Sequence, residues 1–203
     1  MIAIDLLEKY GGVLKEFGKS EIIFEEGTLP THYYQIVSGE VKMNNYNDDG
    51  REFIQGLFYK EQCFGEPPLF IQQNYPANAI VVENATIICV KKEQFFELLK
   101  KQPLISIQII ENLAQRLYYK SVMAAEISSH EPEHRVLRLL DYAITHFNLE
   151  HDSNGYLIHF TRQQIGDLTG LRVETVIRAI KALEKKKELQ IINRKVYRKT
   201  ATL

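Results

Sequence analysis

Hydrophobic and polar positions change period twice along the chain. Between residues 4 and 17, Leu6, Leu7, Tyr10, Val13, Leu14 and Phe17 recur loosely at helical spacing, interrupted at Gly11 and Gly12, which predicts a lead-in helix or two. From Glu21 the pattern shortens into runs of β-branched and aromatic residues separated by turn signals. Ile22-Ile23-Phe24 precedes Gly27 and Pro30, and Tyr33 to Val37 precedes Ser38-Gly39-Glu40. Val41-Lys42-Met43 then alternates, and Asn47-Asp48-Asp49-Gly50 turns the chain back into Phe53 to Phe58. Further strands are predicted near Cys63-Phe64, at Ala79 to Val82 and at Thr86 to Val90. Many short strands at such spacing predict a β sandwich or jelly roll over about residues 20 to 91.

After Lys91 the period becomes helical. Gln94 to Leu99 predicts a short helix, and Pro103 suits the first turn of a second, which runs to about Ser128 with Ile109, Ile110, Leu113, Leu117, Val122 and Ala125 apolar. Such a length exceeds what one small domain needs. Its apolar stripe fits either a coiled-coil-like contact with its own copy or simple packing against the β domain. Ser128-Ser129-His130-Glu131-Pro132 reads as a hinge. Arg135 to Phe147 follows as an amphipathic helix with Val136, Leu139, Leu140, Ala143, Ile144 and Phe147 inward, and Asn154-Gly155 turns into a strand over Tyr156 to Phe160.

Residues 161 to 184 predict two short helices joined by a tight turn. Thr161 with Gln164 forms a capping box, Ile165 and Leu168 give the first helix an apolar face, and Gly170 ends it. In the second helix Val173, Val176, Ile177, Ile180 and Leu183 recur at helical spacing, leaving Glu174, Arg178 and Lys181 on a polar face. Leu189 to Ile192 and Lys195 to Tyr197 predict a small hairpin after it. The class is therefore α+β: a β jelly roll, a long helix and a winged helix-turn-helix. An Arg and a Glu one turn apart match the acceptors of guanine and the amino donor of cytosine in a major groove. An exposed ion pair decorating the helix is the plainer alternative.

Charge sharpens that choice. The net charge of −1 hides eleven Lys/Arg against four Asp/Glu in residues 161–203, a balance of +7, with −8 on residues 1–160. A basic carboxy-terminal end suits phosphate. Two cysteines, Cys63 and Cys89, and no amino-terminal basic-then-apolar stretch suggest a reduced, cytoplasmic protein, and no apolar run reaches the roughly 18 to 20 residues that span a bilayer. Both cysteines lie in apolar runs and read as buried thiols rather than redox sensors. With 203 residues and 45% apolar content the chain can bury a sizeable core.

Several segments together carry a resemblance to a known family. They are Ser38-Gly39-Glu40-Val41, Phe64-Gly65-Glu66 with Leu69-Phe70, Leu113 to Leu117, and Thr161-Arg162-Gln163-Gln164-Ile165-Gly166 with Glu174-Thr175-Val176 and Arg178. In order and spacing the chain resembles the family of the cyclic-AMP receptor protein and the fumarate-nitrate reductase regulator. The resemblance implies a sensor domain resembling cyclic-nucleotide-binding domains over 1–102, a dimerisation helix and hinge over 103–130, and a winged helix-turn-helix DNA-binding domain over 131–203. It further implies a cytoplasmic homodimer on a palindromic operator, a transcription regulator rather than an enzyme, with RNA polymerase as a partner. Glu174 and Arg178 then fall on base-reading positions, and Arg162 and Gln163 on positions that hold the phosphate backbone, joined by Arg172, Thr175 and Lys181. Val173 replaces a polar base contact and suits a thymine methyl.

The departures bear on the effector. Where cyclic-AMP-binding members carry an Arg-Ser pair for the cyclic phosphate, this chain has Tyr75-Pro76-Ala77, without a cation. The adenine-facing positions are Lys120 and Ser121. Gly65, Glu66, Tyr75, Lys120 and Ser121 thus outline an effector pocket unsuited to cyclic AMP, for a different small molecule or none. Two cysteines cannot ligate an iron–sulfur cluster, His130 and His134 flank Pro132 and read as hinge residues, and no haem ligand stands out, so no cofactor or metal is expected. A metal-dependent jelly-roll enzyme needs clustered histidines, and the β region holds only His32. A third reading, a helix-turn-helix that has turned into a protein contact, conflicts with Glu174, Arg178 and the basic balance. The Asn47 to Arg51 hairpin offers a contact for polymerase, although such a turn is solvated in any case.

Overall fold

The computed structural model describes residues 2–50, 52–128, 131–147 and 149–199. Ser129 and His130 of the expected hinge, and Arg51 of the expected hairpin, lie outside the described residues. The chain divides into two compact units, Met1–Gln115 and Arg116–Leu203.

In the first unit α1 (Ile4–Lys9) is followed by β1 (Val13–Phe17), β2 (Ile22–Phe24), β3 (His32–Tyr46), β4 (Glu52–Phe58), β5 (Cys63–Phe64), α2 (Pro67–Ile71), β6 (Asn78–Lys91) and α3 (Lys92–Lys101). The antiparallel sheet runs β1-β6-β3-β4, with β2 also on β6 and β5 on β3. Val13 to Phe17, expected to continue a helix, is instead a strand, because Val13 to Phe17 pair in register with Cys89 back to Ala85. That ladder outweighs local helical spacing. The expected turn at Ser38-Gly39-Glu40 is a run of bulges inside one long strand β3, and the two strands expected between Ala79 and Val90 are one strand β6. The short helix α2 has no counterpart among the elements that the hydrophobic pattern predicts.

Period-2 alternation along β3 and β6 sorts side chains into two cores. Tyr34, Ile36, Val41, Met43, Ile87 and Cys89 join Phe24, Phe64 and Tyr75 in one cluster. Tyr33, Ile88 and Val90 face Leu7, Phe95, Leu98 and Ile109 of the helices in the other, where Tyr33 stacks on Phe95 at 4.3 Å. Helix α4 (Pro103–Ser128) begins in this unit and spans 26 residues. Its apolar residues do not form the single stripe that the sequence suggested. Ile109 is buried and Leu113 packs on the second cluster, whereas Leu104, Ile107, Ile110, Leu117 and Tyr118 are exposed.

In the second unit α5 (Pro132–His146) starts at the proline, earlier than expected, as suits a residue without a backbone donor. β7 (His151–Asp152), β8 (Gly155–Ile158), α6 (Arg162–Thr169), α7 (Val173–Lys185), β9 (Leu189–Ile192) and β10 (Lys195–Arg198) complete it, with sheet order β7-β8-β10-β9. Val136, Leu139, Leu140, Ile165, Val176, Ile180, Leu183 and Val196 are buried among these elements. A partly buried ionic network ties β10 to α5 and to the residue that precedes β9. Arg198 Nε donates to Asp141 Oδ1 at 2.9 Å, and its Nη1 donates to Glu188 Oε2 at 2.6 Å and to the Glu188 carbonyl at 3.0 Å. The end of α4 is held within this unit by Tyr119, whose ring lies 3.5 Å from that of Tyr142 on α5. Among the described residues no helix is long and apolar enough to cross a membrane.

Candidate nucleic-acid interface

Helix α6 begins with the expected capping box. Thr161 Oγ1 accepts from the Gln164 backbone N–H at 3.0 Å, and Gln164 Oε1 accepts from the Thr161 N–H at 2.8 Å. These two bonds satisfy donors that a helix end otherwise leaves open. The helix stops at left-handed Gly170, φ 69°, and the Leu171 N–H returns to the Gly166 carbonyl at 2.9 Å. Gly166 is small for a reason, since a Cβ there would stand 2.8 Å from the Leu171 carbonyl oxygen. The tight turn delivers Arg172 as the N-cap of α7, where no side chain caps the helix. The first-turn N–H groups of α7 therefore receive no acceptor from the N-cap side chain.

Helix α7 buries Val176, Ala179, Ile180 and Leu183 against α5 and α6 and exposes Glu174, Ile177, Arg178 and Lys181. Among the described residues no ion pair joins Glu174 to Arg178. Arg178 Nη2 instead donates to Thr175 Oγ1 at 3.4 Å. The plainer alternative, an ion pair decorating the helix, is thus not what the side chains adopt. Val173 and Thr175 are half-buried at the edge of this face. Ile177, grouped by its hydrophobicity with the inward residues, is 39% exposed and stands in the polar face itself. Its position was legible: it lies three residues after Glu174 and four before Lys181, the spacing of one helical face.

Arg162 and Gln163 lie in the first turn of α6. Gln163 is exposed, with its amide Nε2 donating to the buried carboxylate of Asp167 at 2.8 Å, which fixes the direction of the side chain. Arg162 is half-buried, and burial lowers its guanidinium somewhat, although arginine keeps its charge in proteins. Arg172, Thr175 and Lys181 belong to α7 and its N-cap, and Arg162 and Gln163 to the first turn of α6 in the same unit. These positions bring cations, amides and N–H groups, chemistry that suits phosphate oxygens and base edges.

The expected effector residues lie in different units. Gly65, Glu66 and Tyr75 are buried in the first, and Lys120 and Ser121 are exposed in the second, where Ser121 Oγ donates to the Leu117 carbonyl at 2.9 Å. Gly65 has φ +70°, and a Cβ there would press 2.7 Å against the Phe24 ring. Tyr75 is 3% exposed and stacks on Phe24 with ring centroids 3.7 Å apart and planes 8° from parallel. Phe24 in turn lies 5.7 Å from Tyr34, and Tyr34 lies 5.4 Å from Phe64. Burial and the neighbouring Tyr34 push the Tyr75 phenol well above its ordinary range, and among the described residues its Oη has no hydrogen-bond partner. The atoms nearest to a side chain at Gly65 are those of the Phe24 and Tyr75 rings. The sequence pattern does not single out Phe24 and Tyr34 for this role, although their strands are conspicuously aromatic.

Cys63 and Cys89 are buried free thiols, and burial pushes Cys89 up to about 11, so it stays protonated at neutral pH. His134 is exposed and lies 3.3 Å from Glu131, while His130 is outside the described residues. Among the described residues no group of three or more His, Cys, Asp or Glu is placed to hold a metal ion.

Comparison with known proteins adds the wider context. Residues 14–102 match the model of the cyclic nucleotide-binding domain. The cAMP-activated global transcriptional regulator Vfr of Pseudomonas aeruginosa is 30% identical over 171 residues, covering 82% of this chain and 79% of that protein. The cyclic AMP receptor protein of Thermus thermophilus is 27% identical over 161 residues, covering 79% of this chain and 72% of that protein. Among solved structures, FixK2 from Bradyrhizobium japonicum superposes with a TM-score of 0.77 at 20% identity, covering 94% of this chain and 93% of that one, a likeness of fold.

Proposed function

The chain belongs to the family of the cyclic-AMP receptor protein and the fumarate-nitrate reductase regulator, transcription regulators by name, and from that premise we propose that it is a homodimeric, sequence-specific DNA-binding protein that responds to no cyclic nucleotide. The observation that carries the DNA-binding reading is the exposed face of α7, with Glu174 and Arg178 one turn apart and not spent on each other. Glu174 accepts from a cytosine amino group, and Arg178 donates its fork to guanine. Val173 and Ile177 meet thymine methyls. Arg162, Gln163, Arg172, Thr175 and Lys181 hold the sugar-phosphate backbone and set the register of the helix. Chemistry of this kind is binding alone, with no catalytic step.

Dimerisation is supported by the exposed residues of α4. Ile107, Ile110, Ala114, Leu117 and Ser121 follow alternating spacings of three and four, the seam of a two-stranded coiled coil, and large apolar side chains on it face solvent in a single chain. A second copy of the same helix is the occupant whose pattern matches. We assign the sensor domain to 1–102, the dimerisation helix and hinge to 103–130 and the DNA-binding domain to 131–203. Two recognition helices related by a two-fold axis read half-sites about 34 Å apart, hence a palindrome. The regulator acts in the cytoplasm, with RNA polymerase as its partner at promoters.

By name, the Pseudomonas aeruginosa relative is cAMP-activated and the Thermus thermophilus relative is a cyclic AMP receptor. Here Tyr75 fills the space beside Gly65 with a ring stacked on Phe24, and a phosphate at that point would meet aromatic faces and no cation. A different effector, or none, fits this core. The direct test of the DNA reading is Arg178→Ala, titrated against a duplex enriched from a random-sequence pool. Removing a bidentate guanine interaction costs about 1–3 kcal/mol of discrimination per half-site, and unchanged affinity contradicts the assignment.

A further inference from the structure

Among the described residues from Glu131 onward, Ile177 is the one large apolar side chain left exposed, at 39%, and it stands on the face of α7 that carries Glu174 and Arg178. Glu174 precedes it by three residues, so the two side chains are neighbours on the helix surface. Arg178 turns toward Thr175, with Nη2 3.4 Å from Thr175 Oγ1, rather than toward Glu174. A carboxylate acceptor and an apolar side chain therefore stand side by side on the exposed face of the helix.

The bases differ in how well they match such a pair. In the major groove a cytosine offers Glu174 its N4 amino donor, but only a C5–H to an apolar neighbour. A thymine offers the C5-methyl, but sets its O4 acceptor against the carboxylate. Donor and methyl occur together, on adjacent ring atoms of one base, in 5-methylcytosine. N4-methylcytosine carries the same added carbon on the amino nitrogen itself, where it takes the place of the N–H that faces the groove.

Resting on the DNA-binding reading above, we infer that Glu174 and Ile177 together read 5-methylcytosine, so that C5-methylation of the half-site cytosine strengthens operator binding. Glu174 accepts from N4, and Ile177 covers the adjacent methyl and removes it from water. On unmodified DNA Ile177 has only the methyl of a neighbouring thymine to meet. Burial of one methyl group corresponds to about a fourfold gain in affinity per half-site, and to about 15-fold for two independent half-sites. The methylation state of the operator thereby becomes a signal that requires no ligand in the sensor domain.

The test uses the full chain and a duplex enriched from a random-sequence pool. The cytosine to be modified is the one whose preference Glu174→Ala relaxes in a repeated selection. Affinity is measured with cytosine, 5-methylcytosine or N4-methylcytosine at that position of both half-sites, and with 5-methylcytosine at a control position outside them. The unmutated protein should bind the 5-methylcytosine duplex about 15-fold more tightly than the unmodified one. N4-methylation should weaken binding, and the control methyl should change nothing. The ratio of methylated to unmethylated affinity should fall to near one in Ile177→Ser and stay mostly intact in Ile177→Val. Equal or weaker binding of the 5-methylcytosine duplex by the unmutated protein overturns the inference. So does a gain that the control position or N4-methylation reproduces, or one that survives in Ile177→Ser. Failure of the unmutated protein to prefer the enriched duplex over a scrambled one overturns the DNA-binding reading itself, and a selection in which Glu174→Ala relaxes no cytosine overturns the role of Glu174, both before any methylated duplex is used.

Discussion

Glu40 shows how one side chain reports on its surroundings. It sits in β3 directly across from Glu83 of β6, and burial, with Glu83 next in weight and a hydrogen bond from Tyr59 opposing, raises its carboxyl above the ordinary 4.5. A carboxyl raised in the folded state stabilises the fold below its unfolded value, and that contribution is lost as pH climbs through the folded value. Glu40→Gln should therefore gain on the unmutated protein between pH 4 and pH 7, as read by melting temperature across that range. A constant difference at all pH values would show that the burial is relieved in solution. Arg198 behaves oppositely. Its removal leaves Asp141 buried and unpaired, and Arg198→Ala should cost about 3–5 kcal/mol of stability in denaturant titration. Ile177 tests specificity rather than stability. Ile177→Ser should fold normally and relax the preference for thymine at one position of each half-site in a binding-site selection.

At the scale of elements, α4 separates two roles that its sequence superimposed. Ile109 and Leu113 are spent on the core of the first unit, while Ile107, Ile110 and Leu117 are left exposed, Leu117 at 67%. Leu117→Lys should shift the protein toward monomer in sedimentation, with its far-ultraviolet circular dichroism retained, because a charge is placed in a seam that a helix partner must cover. Persistence of a dimer would move the interface elsewhere. Helices proved easier to read than strands. The capping box at Thr161, the stop at Gly170 and the inward residues of α7 are local patterns, and local hydrogen bonds realise them. Val13 to Phe17 misled because its strand exists only through pairing with β6, some seventy residues away. Ser38-Gly39-Glu40 looked like a turn because bulges and turns draw on the same residues. The polar face of α7 was largely legible, since polar residues on an amphipathic helix declare themselves. Ile177 shares the spacing of that face, although its type alone assigns it inward, and the aromatic packing around Gly65 was not legible, because which ring fills which space is a property of the folded core.

For the whole molecule, the proposed dimer, with a recognition helix in each of two copies, makes DNA binding a property of the pair, with the operator reflecting its symmetry. On the proposed reading, a sensor core in which Tyr75 stacks on Phe24 leaves that binding independent of cyclic AMP. Both claims meet in one measurement: selection of binding sites from random duplex DNA by the purified protein, with and without cyclic AMP. The prediction is a palindrome with G·C pairs in its half-site core, enriched to the same extent under both conditions. No enriched sequence, or a palindrome recovered only with cyclic AMP, would contradict it.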